Sequence, residues 1–145
     1  MNNAQLTAPQ EALAFILGGN STVTVVSGKT GARYTFKVRM AENKELYFVS
    51  LLTGADNEGD FSYMGIIPTN NMEFRLTKKS AMNDDSVPVK AFRYVTNALK
   101  ALQMPANVEI WHEGKCGRCG RKLTVPASIS SGFGPECIQK VGVAA

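Results

Sequence analysis

The sequence predicts an α+β fold: an antiparallel β-sheet of about five strands packed by one or two helices, with a small cysteine-bearing unit behind it. Three observations carry this. Short runs of alternating apolar and polar residues follow one another between residues 22 and 77, separated by turn residues. One longer segment, residues 87–102, instead repeats its apolar side chains at helical spacing. All three cysteines then fall between positions 116 and 137, in a stretch rich in glycine. A run of strands followed by a helix, rather than strict alternation, argues for antiparallel pairing with the helices gathered on one face. The expected division is a sheet-plus-helix domain over residues 1–107 and a terminal unit over 108–145.

The elements follow in order. Thr7 and Gln10 have the spacing of a capping box, and Pro9 suits a first helical turn. Ala12, Leu13, Phe15, Ile16 and Leu17 then give that short helix an apolar side, ended by Gly18 and Gly19. Residues 22–26 are β-branched throughout, and Gly28, Lys29, Thr30 and Gly31 read as a hairpin turn into a strand over 33–40. There Tyr34, Phe36 and Val38 alternate with Arg33, Thr35, Lys37 and Arg39, so an apolar face looks inward and a basic face outward. Further strands are expected at 46–52, 61–68 and 72–77, with a loop at 53–60 and another at 78–85. Ser86 and Pro88 open the helix at 87–102, whose face is set by Phe92, Val95, Leu99 and Leu102. After Pro105, a short strand at 108–111 leads to His112.

The formal charge is +4, and it is uneven. Residues 1–110 hold 11 basic and 10 acidic side chains, whereas residues 111–145 hold five and two. Such a tail permits an anionic partner without requiring one. No run is long and apolar enough to cross a membrane, and the first 20 residues do not read as a signal peptide. Three cysteines make an awkward disulfide set, so a reducing compartment and a metal are the economical account.

Cys116 and Cys119 form a Cys-x-x-Cys pair flanked by Gly117 and Gly120, and Cys137 follows Gly134 and Pro135. Zinc takes four nitrogen or sulfur ligands, and two thiolates from one tight turn can grip a single ion. Cys137 is expected in a first helical turn, where the helix dipole favours a thiolate. A knuckle followed by a ligand-bearing helix makes a treble-clef-like zinc finger. His112, the sole histidine, is the candidate fourth ligand, with Glu113, Glu136 or a partner's residue as alternatives. A redox pair is disfavoured because the sequence after Cys119 is not helix-forming. Three thiolates also leave zinc a weak Lewis acid, and no paired carboxylate stands near to move protons, so the ion is expected to be structural.

From Cys116 to Cys137 the motif reads Cys-Gly-Arg-Cys-Gly-Arg, then Leu123 to Ile129 with Pro126 and Ser128, then Gly132, Gly134, Pro135 and Cys137. This resembles a small zinc-finger domain of unknown function found in bacteriophage, prophage and actinobacterial proteins, some of which carry it beside nucleic-acid-processing modules. The resemblance spans about residues 112–137 and includes a histidine before the first cysteine. It implies a zinc module, a mobile-element origin and action in a bacterial host's cytoplasm, but no reaction.

The leading functional expectation is therefore a non-catalytic accessory protein that associates with DNA, RNA or a nucleic-acid-processing complex. Candidate phosphate-contacting cations are Arg33, Lys37 and Arg39 on one strand, Lys90, Arg93 and Lys100 on the helix, and Lys115, Arg118, Arg121 and Lys122 around the knuckle. Phe61, Tyr63 and Trp111 are potential stacking surfaces, although Phe61 and Tyr63 share a strand face and read as core. The alternative is a protein-binding inhibitor or adaptor directed at a host enzyme or defence factor. An enzyme is not expected. Gly28-Lys29-Thr30 lacks the spacing of a phosphate loop and lies in a hairpin, not before a helix.

Overall fold

Strand pairing in a computed structural model follows the alternation just described. The structure describes residues 5–54, 60–123, 129, 131–134 and 137–140. Its elements are β1 (Gln5–Leu6), α1 (Pro9–Ile16), β2 (Asn20–Ser27), β3 (Arg33–Met40), β4 (Leu46–Leu52), β5 (Phe61–Pro68), α2 (Val87–Lys100), β6 (Val108–His112) and α3 (Cys137–Lys140). Six strands make one antiparallel sheet in the order β1-β6-β2-β3-β4-β5. Strands β2 to β5 form a meander because each is joined to the next by a turn or loop. β6 returns from α2 to the far side of β2, so the strand that opens the tail segment lies inside the sheet.

The two faces of the sheet differ as the residue alternation requires. Val23, Val25, Phe36, Val38, Val49, Leu51 and Ile110 point inward and are buried. They meet Phe15 and Ile16 of α1 and Val89, Phe92, Val95 and Leu99 of α2 in one core. Phe36 and Phe92 pack with ring centroids 4.9 Å apart, which seats α2 on this face. The opposite face carries Thr22, Thr24, Thr35, Lys37, Arg39, Phe48 and Ser50, and no described helix covers it.

Several boundaries differ from expectation for local reasons. The capping box does not form: Ala8 is the N-cap of α1 and no side chain caps it. Residues 72–77 are not a strand. Met72 has a positive φ of 56°, and pairing is confined to one bridge between Arg75 and Ile66. Leu102 leaves the face of α2 because the helix ends at Lys100 and Leu102 takes φ 59°, leaving it 58% exposed. Val89 supplies the buried position instead. No helix among the described residues is long and apolar enough to cross a membrane.

Candidate metal centre

The tail begins where β6 ends. Leu123 donates its amide to Gly114 O at 2.7 Å, and Cys116 donates to Arg121 O at 2.8 Å. These bonds fold residues 114–123 into a small β-knuckle with a bridge between Lys115 and Lys122. At its tip Gly120 donates to Cys116 O at 2.9 Å with φ +79°, a left-handed conformation that glycine adopts at no steric cost. Gly117 has a packing role. A Cβ on it would lie 2.7 Å from Phe15 Cδ1, so its bare backbone lets α1 press against the knuckle.

This turn brings Cys116 and Cys119 together, and α3 starts at Cys137 to deliver the third thiol. The three Sγ atoms all lie within 4.8 Å of one another. Zinc binds thiolate sulfur at about 2.3 Å, so two sulfurs on one tetrahedral ion are about 3.8 Å apart. The three sulfurs and their spacing therefore suit three of the four positions around one zinc ion, and the thiols make a cysteine cluster consistent with a small zinc-binding module.

The surroundings prepare these sulfurs unequally. Burial opposes ionisation of Cys116, but amides of Gly134, Cys119 and Arg118 and the Cys119 thiol outweigh it and bring its pKa down to about 7. Burial pushes the Cys137 thiol up, and the neighbouring sulfurs add to this against the pull of Arg118. Desolvation thus works against the favour that a helix start would give the Cys137 thiolate. Arg118 Nη1 lies 3.6 Å from Cys137 Sγ. A zinc ion with three thiolates carries about −1 charge, and this guanidinium offsets it.

His112 is not a member of the thiol group. It lies on the inner face of β6, 97% buried, with its ring centroid 5.4 Å from that of Phe15. Nδ1 accepts the Gly114 N–H at 2.9 Å, so the proton sits on Nε2, which donates to Ile129 O. Burial holds its pKa below the usual imidazole range, against the Ile129 carbonyl and the Glu113 carboxylate, which raise it. The lone pair of the neutral ring accepts the Gly114 amide, and through these two bonds His112 ties the knuckle's first turn to the segment around Ile129. Glu113 is engaged elsewhere, by Thr24 Oγ1 at 2.7 Å, and Glu136 lies outside the described residues. Replacing His112 by Ala is expected to lower the melting temperature while zinc stoichiometry stays near one per chain; elemental analysis and a thermal melt on the same sample check both.

The ten candidate cations do not form one surface. Arg33, Lys37 and Arg39 lie on the open face of the sheet, and Lys90, Arg93 and Lys100 lie on α2, across the sheet from them. Arg93 is paired with Asp84 at 2.7 Å, and Lys100 donates to Met72 O at 2.9 Å, so both are committed to structure. Arg118 is committed to the thiols. Lys115, Arg121 and Lys122 lie around the knuckle, which adjoins the open face at one corner. There Asn20, the cross-strand partner of Arg39, donates toward the knuckle at Gly117 O, and its side chain abuts Gly120. Phe61 and Tyr63 are not core residues. They pair with Leu52 and Ser50 on the open face and are half-buried.

Residues 111–142 match the model of a family of unknown function, DUF6011. No curated protein and no solved structure matches the chain.

Proposed function

We propose that this protein is a non-catalytic accessory protein in which a structural zinc ion, held by Cys116, Cys119 and Cys137, braces a surface that associates with nucleic acid. The observation that carries the reading is the corner where the two basic groups meet: Arg39 and Lys37 on the sheet run through Asn20 into the knuckle bearing Arg121 and Lys122. Dispersed cations on a rigid surface are what phosphate contacts need. The likeness of the tail to phage and prophage zinc modules supports a role of that kind in a bacterial cytoplasm.

Affinity for labelled DNA or RNA should fall by about one to three decades between 50 and 200 mM salt, as expected for roughly three to five phosphate contacts. Reversing Lys37 and Arg39, or Arg121 and Lys122, to Glu should remove much of the binding. Lys90→Glu on the far side should not. Arg118 is unsuitable as a probe because its side chain touches Cys137 Sγ. Equal losses from Lys90→Glu and from the two pairs would sink the surface as drawn.

One observation favours the second reading, a protein-binding adaptor or inhibitor acting on a host factor. An apolar groove of about 440 Å³ lies between the β2–β3 turn and α2, lined by Tyr34, Val87, Ala91, Tyr94 and Val95 among others. Val87 and Tyr94 are 60% and 48% exposed there. Binding through such a groove would respond only modestly to salt, which separates the two readings.

A further inference from the structure

Rows of side chains on the open face divide it into two chemically different halves. On one side β6 presents Glu109 and Trp111, and Glu113 follows directly after its last residue. The Trp111 indole N–H donates to Glu109 Oε1 at 3.1 Å, and Glu113 is held by Thr24. Two carboxylates repel phosphate, and the one ring here is already tied to one of them. The other half, on β3, β4 and β5, carries cations interleaved with rings. Arg39 faces Phe48 across the β3–β4 pair, Lys37 faces Ser50, and Ser50 faces Tyr63 on β5. Lys37 Nζ sits 5.6 Å above the Phe61 ring, and Phe48 and Tyr63 meet edge to face at 6.4 Å. Between them lies a depression of about 220 Å³ lined by Lys37, Arg39, Phe48, Ser50 and Phe61.

We infer that this half-face is a base-stacking platform for single-stranded nucleic acid, entered from the knuckle corner and bounded by the acidic strand β6. The inference rests on the nucleic-acid reading above and narrows it. An unpaired base needs a ring face and a nearby cation for its phosphate, and Phe48, 40% exposed beside Arg39, supplies the first next to the second. A duplex cannot use the same surface well. Its bases are already stacked on one another, and a major groove about 12 Å wide admits a helix or a two-stranded ribbon, not the face of a wide sheet. The rings then have nothing to stack on. Tyr63 takes part through its ring edge, because its hydroxyl is bound to Thr77 Oγ1 at 3.0 Å.

Fluorescence anisotropy with labelled oligo-dT and oligo-rU of about 12 nucleotides, against a duplex of similar length, tests this at 50 mM salt. Single strands should bind at least about tenfold more tightly than duplex. Phe48→Ala should weaken single-strand binding by about tenfold, within the roughly 5- to 150-fold range of one lost base–aromatic stack, and leave duplex binding unchanged. Phe48→Trp should restore it, which separates stacking from damage to the fold, and Trp111→Ala should have no effect. Duplex binding equal to or tighter than single-strand binding, or an unchanged affinity in Phe48→Ala, overturns the platform while leaving the broader reading in place. Absence of binding to every probe overturns both.

Discussion

Replacing Cys116 or Cys137 by Ser is expected to release the metal and to unfold the residues that follow β6, and elemental analysis of the parent protein should give about one zinc per chain. The expected effect is large because both cysteines also belong to the small buried cluster of the tail. Among the described residues of this segment, Cys116, Leu123, Phe133 and Cys137 are the hydrophobic side chains buried in the core. Structural zinc in comparably small units contributes on the order of 10 kcal/mol of binding free energy, which is folding free energy where no site exists beforehand. Cys119 is the exposed member of the trio, so Cys119→Ser tests metal loss with the least disturbance of packing. A folded tail, judged by amide protection in residues 114–123, in protein that contains no metal would refute the structural role.

Phe15→Ala should be the most damaging single change outside the cysteines. Phe15 belongs to α1, yet its ring lies 5.4 Å from His112 and 5.8 Å from Phe133, and it fills the space left by the missing side chains of Gly117 and Gly132. Truncating a fully buried phenylalanine costs about 3–5 kcal/mol, the transfer term plus the cavity it leaves. For a chain of this size that is on the order of 10 °C in melting temperature. Because the same ring touches the sheet's last strand and the knuckle, zinc affinity should drop along with stability. A variant that melts early but binds zinc as tightly as the parent would mean that the knuckle folds independently of α1.

That coupling bears on how the molecule is built. The segment that follows residue 107 supplies an interior strand, and Asn20 N donates to Gly117 O at 2.9 Å, joining the start of β2 directly to the knuckle. The metal centre and the sheet therefore share hydrogen bonds and a core ring. A surface that runs from Lys37 and Arg39 to Arg121 depends on that junction being rigid, since cations on two bodies free to move would lose their alignment.

The sequence alone determined the parts whose physics is local. Alternation in 33–40 and 46–52 sets which side chains share a face, the helical spacing of Phe92, Val95 and Leu99 sets the buried side of α2, and the Cys-x-x-Cys-Gly turn sets how two thiols approach each other. Only the tertiary structure decided what those faces meet. Phe61 and Tyr63 share a strand side, but alternation does not say which side is covered; α1 and α2 pack on the other one. Residues 72–77 alternate well, yet a strand needs a partner along its length, and here a turn at Met72 is followed by a single bridge from Arg75 to Ile66. His112 has the spacing of a ligand, and only the fold shows how its ring is engaged: it is buried against Phe15, Nδ1 takes the amide of its near neighbour Gly114, and the fold brings the Ile129 carbonyl to Nε2.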